Sequence, residues 1–422
     1  MKKQASDRIM PMFFELQRKI QTYPSQFWLI SSLMMLAWLF FSLIWSYLLL
    51  YISQTMGQPL SSVSWLMTLN AIVGMGASFL GGAVADRFGR KGVLVLSLVI
   101  TGVGWFFYRA AGTLPVFALL TLITGATTPL YRLTADAMVA DLLPVENRLD
   151  AYSILRMGNN LGVAIGPVVG GLLVSLSYFI AFSVMGIGFA VIGLLVFILI
   201  KESRNWKTSG RQSSPVTDGG YRSVLKDTIF MRVIGAYTLN RISTSILWMM
   251  LAAYTSQNFG LSESRYGFIP ATNAIMVIFL QLLVTRRVNH YRPQVAMSAG
   301  ALVYAVSIFS ISFGTGFWWF WLCMVGATIG EMILVPTTTT FTSRLAPPDM
   351  RARYMSMYTL TWTVGTGLGP LLAGFASDLF APRGMWYAAG LAGFAAFFIF
   401  LNIARSKTGL DARLREGTME VV

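Results

Sequence analysis

The chain has 422 residues, 55% of them hydrophobic and only 12% charged, with a formal net charge of +15. A soluble globular protein carries roughly 25% charged residues, so the composition excludes a water-soluble multidomain enzyme and points to a bilayer as solvent. A single cysteine (Cys323) and a single histidine (His290) exclude a disulfide framework, a cysteine zinc site and a histidine-based triad, and no metal or cofactor is expected.

A spanning helix needs about 20 mostly apolar residues. The basic segment 1–26 comes first, either as a short amphipathic helix at the membrane surface or as a solvated tail, and no cleavable signal peptide is expected. Six apolar stretches follow, at 27–53, 64–86, 92–112, 114–140, 151–176 and 178–200. The connector 201–228 is polar and rich in Ser, Gly and charge, as a solvated linker should be. Six more stretches fall at 229–256, 264–285, 294–313, 317–343, 354–377 and 384–404, and 405–422 forms a polar tail. The expected architecture is an all-α membrane protein of twelve transmembrane helices in two pseudo-symmetric six-helix bundles, 27–200 and 229–404.

Of the 32 Lys and Arg, 25 fall on the face shared by both chain ends, and only Arg109, Arg265 and Arg383 lie opposite. This is the positive-inside bias of a multi-pass protein of the cell (inner) membrane with both termini cytoplasmic. Basic loops of this kind meet anionic lipid, and nucleic-acid binding is disfavoured.

A shift of 203 residues brings the two halves into register. Leu142, Pro144 and Arg148 fall on Leu345, Pro347 and Arg351. Gly166-Pro167 falls on Gly369-Pro370, and Gly171 on Gly374. Two parallel six-helix repeats are the pattern of a rocking transporter with its substrate cavity between the halves.

The stretch Gly82-Ala-Val-Ala-Asp86-Arg87-Phe-Gly89-Arg90-Lys91 resembles the loop between helices 2 and 3 of the major facilitator superfamily. Gly162-x-x-x-Gly166-Pro167-x-x-Gly170-Gly171 resembles the helix 5 motif of its twelve-helix drug:proton antiporters, although Ser153 stands where that motif often begins with a further Gly. The superfamily's helix 4 arginine is displaced here by about a turn, to Arg132. The resemblance implies a latch. Asp86 would face the N-terminus of helix 11, where the helix dipole favours an anion, and Arg90 would pair with Asp141 at the end of helix 4. It also implies that helix 5 seals the closed cavity against helix 8. The second-half copy has Asn289, Pro293 and Arg344 in place of Asp86, Arg90 and Asp141, so the halves should not gate identically.

Charges within a membrane are functional candidates by default. Arg132 and Asp136 stand i, i+4 on span 4 and can face each other. Glu331 lies near the midplane of span 10, where desolvation disfavours the charged carboxylate and lets it take up a proton. The segment Gly330-Glu331…Pro336 also resembles helix 10 of some twelve-helix multidrug antiporters. Glu331 is the leading proton-coupling residue, with Asp136 as the second. A structural role is the alternative: Glu331 held by Asn240 or Arg241, and Asp136 as a fixed partner of Arg132. Arg241 would either bind an anionic substrate or neutralise Glu331. Trp38, Trp248 and Trp362 join Arg132, Arg241 and Asn240 as candidate cavity residues, because broad-specificity cavities use aromatic and Met side chains.

The function expected is proton-coupled efflux of amphipathic or hydrophobic compounds by alternating access. The expected partners are a small-molecule substrate, protons and membrane lipids, and the working unit is a monomer. One alternative is a specific carrier of the same fold for a lipid, peptide, sugar or organic anion. A second is a non-transporting receptor or scaffold.

Overall fold

The computed structural model describes residues 23–203, 220–347 and 350–405. Residues 1–22, most of the connector and the tail beyond Arg405 lie outside the described residues, and with them the surface-helix expectation. No strand occurs among the described residues.

Twelve long helices occur among the described residues. The first half holds α1 (Ser25–Met56), α2 (Leu60–Phe88), α3 (Arg90–Tyr108), α4 (Leu114–Leu142), α5 (Val145–Leu176) and α6 (Tyr178–Leu199). The second holds α7 (Thr228–Phe259), α8 (Glu263–Val288), α9 (Pro293–Ser310), α10 (Phe317–Leu345), α11 (Arg351–Phe380) and α12 (Gly384–Arg405). A short helix, Gly220–Lys226, leads into α7, whose first turn is capped by the Asp227 carboxylate accepting from the Phe230 amide at 3.2 Å.

Ten of the twelve are long and apolar enough to cross a membrane on length and composition alone. The other two, α7 and α11, are as long but more polar, carrying Arg232 and Arg241, and Arg351, Arg353 and Asp378. Helix α7 can be so because protein covers it along its length, from Phe230 to Thr255. Large apolar side chains such as Phe79, Leu176, Phe279 and Leu379 are exposed, as lipid-facing residues should be.

Helix packing follows the repeat. Helix α1 packs on α5 and α7 on α11; α3 packs on α6 and α9 on α12; α2 packs on α4 and α8 on α10. The same atoms close the equivalent seams. Ser42 donates to the Gly162 carbonyl at 3.2 Å, and Ser245, 203 residues later, donates to the Gly365 carbonyl at 2.7 Å. A Cβ on Gly166 would overlap the Ser42 hydroxyl, and one on Gly369 the Ser245 hydroxyl. Glycine at both positions lets two backbones meet where lipid provides no hydrophobic drive for helix association.

The halves join through two related seams, α2 against α11 and α5 against α8. Thr68 donates to the Gly367 carbonyl at 2.6 Å, and Ser61 lies against Gly374. Gly171 lies against the Glu263 carbonyl, and Gly267 against that of Pro167. These contacts all fall in the helix portions next to the face opposite the chain ends, here called the far face. Toward the other, basic face the seams part. The only buried residues of α8 after its first turn are Ile269, Pro270 and Ala271, and between Met67 and Gly81 α2 buries none. The molecule is therefore closed at the far face and open toward the basic face.

Candidate functional site

Glu331 is the central residue of the 29-residue α10, about 21 Å from either end at 1.5 Å per residue. It points into the second half rather than at lipid. The Asn273 side-chain amide of α8 donates to its Oε2 at 2.7 Å and lies 3.1 Å from the Thr328 hydroxyl. Arg241 and Tyr237 of α7 and Tyr304 of α9 stand within electrostatic range of the carboxylate. Arg241 itself donates to the Tyr237 hydroxyl. Tyr358 of α11 donates to that hydroxyl at 2.9 Å and meets Thr339 of α10 at 2.8 Å. The Tyr237 and Tyr358 rings stack at 5.0 Å. Five helices, α7 to α11, thus bring polar groups together around Glu331. A buried network of this kind is stable only when its members are satisfied, and it sets the positions of all of them together.

Among the other residues expected at the cavity, Trp362 is half exposed, and the Arg241 guanidinium lies 5.1 Å from its ring centre. Trp248 is partly buried two turns along α7. Asn240 is 2% exposed, faces away from open space and makes no hydrogen bond to Glu331.

In the first half, Arg132 of α4 lies 3.8 Å over the Trp38 ring and 4.9 Å over Phe41, both on α1. No ion pair joins it to Asp136 among the described residues, because the ring faces of α1 draw the cation away from the i+4 carboxylate. Its Nε and Nη2 are buried without a hydrogen-bond partner. The Asp136 side chain is partly buried, and its backbone carbonyl accepts from the Tyr152 hydroxyl at 3.0 Å.

At the basic face the expected Arg90–Asp141 ion pair is present, and Arg90 also donates to the Ala137 carbonyl at 2.6 Å. Asp86 is 3.9 Å from Arg90, but its side chain is 65% exposed. The expectation that Asp86 meets the N-terminus of α11 is not met in this conformation: the halves have parted here, and only the contacts within the first half remain. Glu202, at the end of α6, completes the cluster. Its carboxylate accepts from the Arg90 and Lys91 amides at 3.2 and 3.0 Å and caps α3. Gly89 turns the chain there with φ of +86°, a conformation closed to most other residues. Gly82 faces open space, Arg87 lies over Phe88 and the Lys91 ammonium over Phe197, as in side chains that reach the headgroup level.

The helix 5 glycines divide their work. Gly162, Gly166 and Gly170 face α1, and Gly171 faces α8 at the far face. Pro167 lies within α5, and its carbonyl accepts from the Tyr47 hydroxyl at 3.2 Å.

The Major Facilitator Superfamily sequence profile matches residues 30–239 and again 233–418, which together span nearly the whole chain. The chain belongs to this superfamily. A Na(+), Li(+), K(+)/H(+) antiporter of Planococcus maritimus is 25% identical over 360 residues, covering 78% of this chain and 84% of the relative. The quinolone resistance protein NorA of Staphylococcus aureus (strain Mu50 / ATCC 700699) is 23% identical over 340 residues, covering 78% and 84%. The crystal structure of the nucleoside transporter NupG superimposes with a TM-score of 0.76 at 14% identity, covering 91% of this chain and 100% of that one, and so shares the fold.

This superfamily member is a multi-pass membrane transporter whose sequence relatives include a cation/proton antiporter, a multidrug resistance protein and a quinolone resistance protein. Several of its polar residues escaped sequence reasoning. Asn273 is the nearest amide donor to Glu331, yet one signal marks it: Asn273-Ala-Ile275 lies 203 residues after Asn70-Ala-Ile72. The Tyr237–Tyr358 pair, Glu202 and Tyr47 carry no such mark, since tyrosines are common in membrane helices and Glu202 looks like an ordinary linker acid.

Proposed function

We propose that this transporter exports amphipathic or hydrophobic compounds in exchange for protons, with Glu331 as the group that binds and releases the proton. The observation that carries the reading is the Glu331–Asn273 hydrogen bond at the centre of the bundle. It ties the acid at the middle of α10 to α8, the helix whose first turn closes the far face against α5. Protonating Glu331 removes the charge that Asn273 holds and so shifts α8 relative to α10. That is a differential interaction with two states, as alternating access requires.

In this reading the basic face is cytoplasmic, both chain ends and the 201–228 connector lie in the cytoplasm, and the protein sits in the inner membrane as a monomer. The bundles 27–200 and 229–404 rock about the seams α2–α11 and α5–α8. The Asp86–Arg90–Asp141 cluster latches the cytoplasmic side when it closes. Asp136, Trp38, Trp248, Trp362 and Arg241 flank the space between the halves. The relatives named as a multidrug resistance protein and a quinolone resistance protein support the direction, and the one named as a cation/proton antiporter supports the coupling.

The test is transport in everted vesicles carrying the full chain. Lipophilic dyes should consume the proton gradient, and Glu331→Gln should abolish uphill efflux while leaving expression and membrane insertion unchanged. Wild-type uphill efflux by the Gln variant would remove Glu331 from the mechanism.

One observation favours a second reading, an organic-anion carrier. Two guanidinium nitrogens of Arg132 have no partner, and a carboxylate or phosphate of the substrate would satisfy them. Movement of an anion but of no lipophilic cation, lost in Arg132→Gln, would select it.

A further inference from the structure

The repeat that builds both halves breaks at the junction between α8 and α9, and the break leaves a charged cavity. In the first half the junction between α2 and α3 is neutralised from within. Arg90 reaches across to Asp141 at the end of α4, Asp86 lies beside it, and Glu202 caps α3. The residues 203 positions later are Asn289 for Asp86, Pro293 for Arg90, Arg344 for Asp141 and Arg405 for Glu202. All three acids are gone, and two have become arginines. The arginine that spans the gap in the first half is here a proline, whose short uncharged ring cannot reach across it.

A cavity of about 420 Å³ opens at the place equivalent to that ion pair, between α8 and α10 from their basic-face ends inward to Met332. Thr285, Asn289, Tyr291, Pro293, Thr340 and Arg344 contribute to its wall. Arg344 makes no ion pair among the described residues. Thr285 accepts from Gln281 and keeps its own hydroxyl hydrogen free. Arg286 and Arg287 on the last turn of α8 add to the positive potential. Arg344 is thirteen residues from Glu331, about 20 Å along the helix, so the charged end of the cavity lies at the basic face, while its inner wall runs past Pro336 to Met332, next to Glu331.

We infer that this cavity binds a phosphate ester anion, which takes the place of the internal carboxylates of the first half. Arg344 offers a guanidinium fork that matches a phosphate, and Asn289, Tyr291, Thr285 and Thr340 add neutral donors around it. The volume accommodates a phosphate with an attached glycerol. The cavity lies at the membrane-facing end of two spanning helices on the face rich in Lys and Arg, which makes an anionic phospholipid headgroup the source that its position favours.

The test is the thermal stability of the purified full-length protein in detergent, with dioleoyl phosphatidylglycerol, dioleoyl phosphatidylcholine or soluble glycerol 3-phosphate added. Phosphatidylglycerol should raise the wild-type melting temperature by several degrees, and phosphatidylcholine should not. Arg344→Gln should lose the rise. Asn289→Asp, which restores the acid of the first half, should lose it too. Arg265→Gln, at an exposed arginine on the far face, should keep it. A rise with glycerol 3-phosphate that both cavity variants lose assigns the same site to a soluble phosphate ester. The inference is overturned if phosphatidylcholine stabilises equally, if nothing stabilises the wild type, or if the rise survives in both cavity variants.

Discussion

The Tyr47 hydroxyl lies 3.3 Å from the backbone carbonyl oxygen of Glu263, and this contact joins the two halves at the far face. The same hydroxyl is 3.2 Å from the Pro167 carbonyl, so one hydrogen is shared between an acceptor in its own half and one in the other. Tyr47 is fully buried where α1 breaks at Ser46–Tyr47, with its ring edge-on to Tyr266 at 5.5 Å. The residue 203 positions later is Met250, so the clasp has no counterpart. A buried hydrogen bond contributes about 1 kcal/mol net.

Tyr47→Phe is therefore expected to lower the ratio of far-face-closed to far-face-open molecules about fivefold, at a cost of about 1 kcal/mol. Spin labels at the exposed positions Ser62 and Phe380, at the far ends of α2 and α11, should report a longer or broader distance distribution. An unchanged distribution would mean that the shared hydrogen bond does not hold the closure.

The twin seams predict twin costs. Gly166→Ala and Gly369→Ala each drive a methyl group into a serine hydroxyl on the facing helix, Ser42 or Ser245. Overpacking of this kind typically costs about 1–3 kcal/mol. Both variants should lose thermal stability by similar amounts. Gly92→Ala, which meets nothing within 4 Å, should lose none. A large loss at only one seam would show that the halves do not pack alike.

Much of this architecture was legible in the sequence because it rests on long-range regularities. Helix length follows from runs of apolar residues, and the repeat follows from Pro, Arg and Gly-Pro recurring at one offset. The Arg90–Asp141 pair follows from the loop motif. Helix rotation was not legible. These helices are apolar on every side, so no amphipathic stripe says which face looks inward. That is why spacing alone paired Arg132 with Asp136, whereas packing turns Arg132 onto Trp38. It is also why Asn240, next in sequence to Arg241, looked like a partner for Glu331 when the donor comes from Asn273 on another helix. The break in α1 has no proline or glycine to announce it.

The basic-face cluster makes a graded prediction. Arg90 bonds to Asp141 and to the Ala137 carbonyl and is mostly buried, whereas Glu202 is exposed. Arg90→Ala leaves the Asp141 carboxylate only the Ser203 hydroxyl, and losing a hydrogen bond to a charged group costs about 1.5–3 kcal/mol. Glu202→Gln removes only the charge from a solvated cap, worth about 0.3–1 kcal/mol and screened by salt. Unfolding of the two variants at low and high salt should give the larger, nearly salt-independent loss for Arg90→Ala and the smaller, salt-sensitive one for Glu202→Gln. The reverse order would mean that the ion pair is not what holds α3 to α4.

The last prediction separates two asparagines that the repeat makes equivalent. Asn273 donates to Glu331, while Asn70 at the same place in the first half lies against the Gly125 backbone, with Thr128 where the second half has its acid. If the acid gives the asparagine its task, Asn273→Ala should lower gradient-driven efflux at least tenfold, as the loss of a hydrogen bond to a charged group (about 1.5–3 kcal/mol) allows. Asn70→Ala should leave efflux within about twofold of wild type, since this amide has no charged partner to hold. Residues acting as one unit are not additive. Adding Glu331→Gln to Asn273→Ala should therefore cost little more than Glu331→Gln alone, whereas adding it to Asn70→Ala should impose its whole effect. Fully additive losses for the Asn273–Glu331 pair would show that α8 and α10 respond to the proton separately, and the link from proton to far-face closure would have to run through another helix.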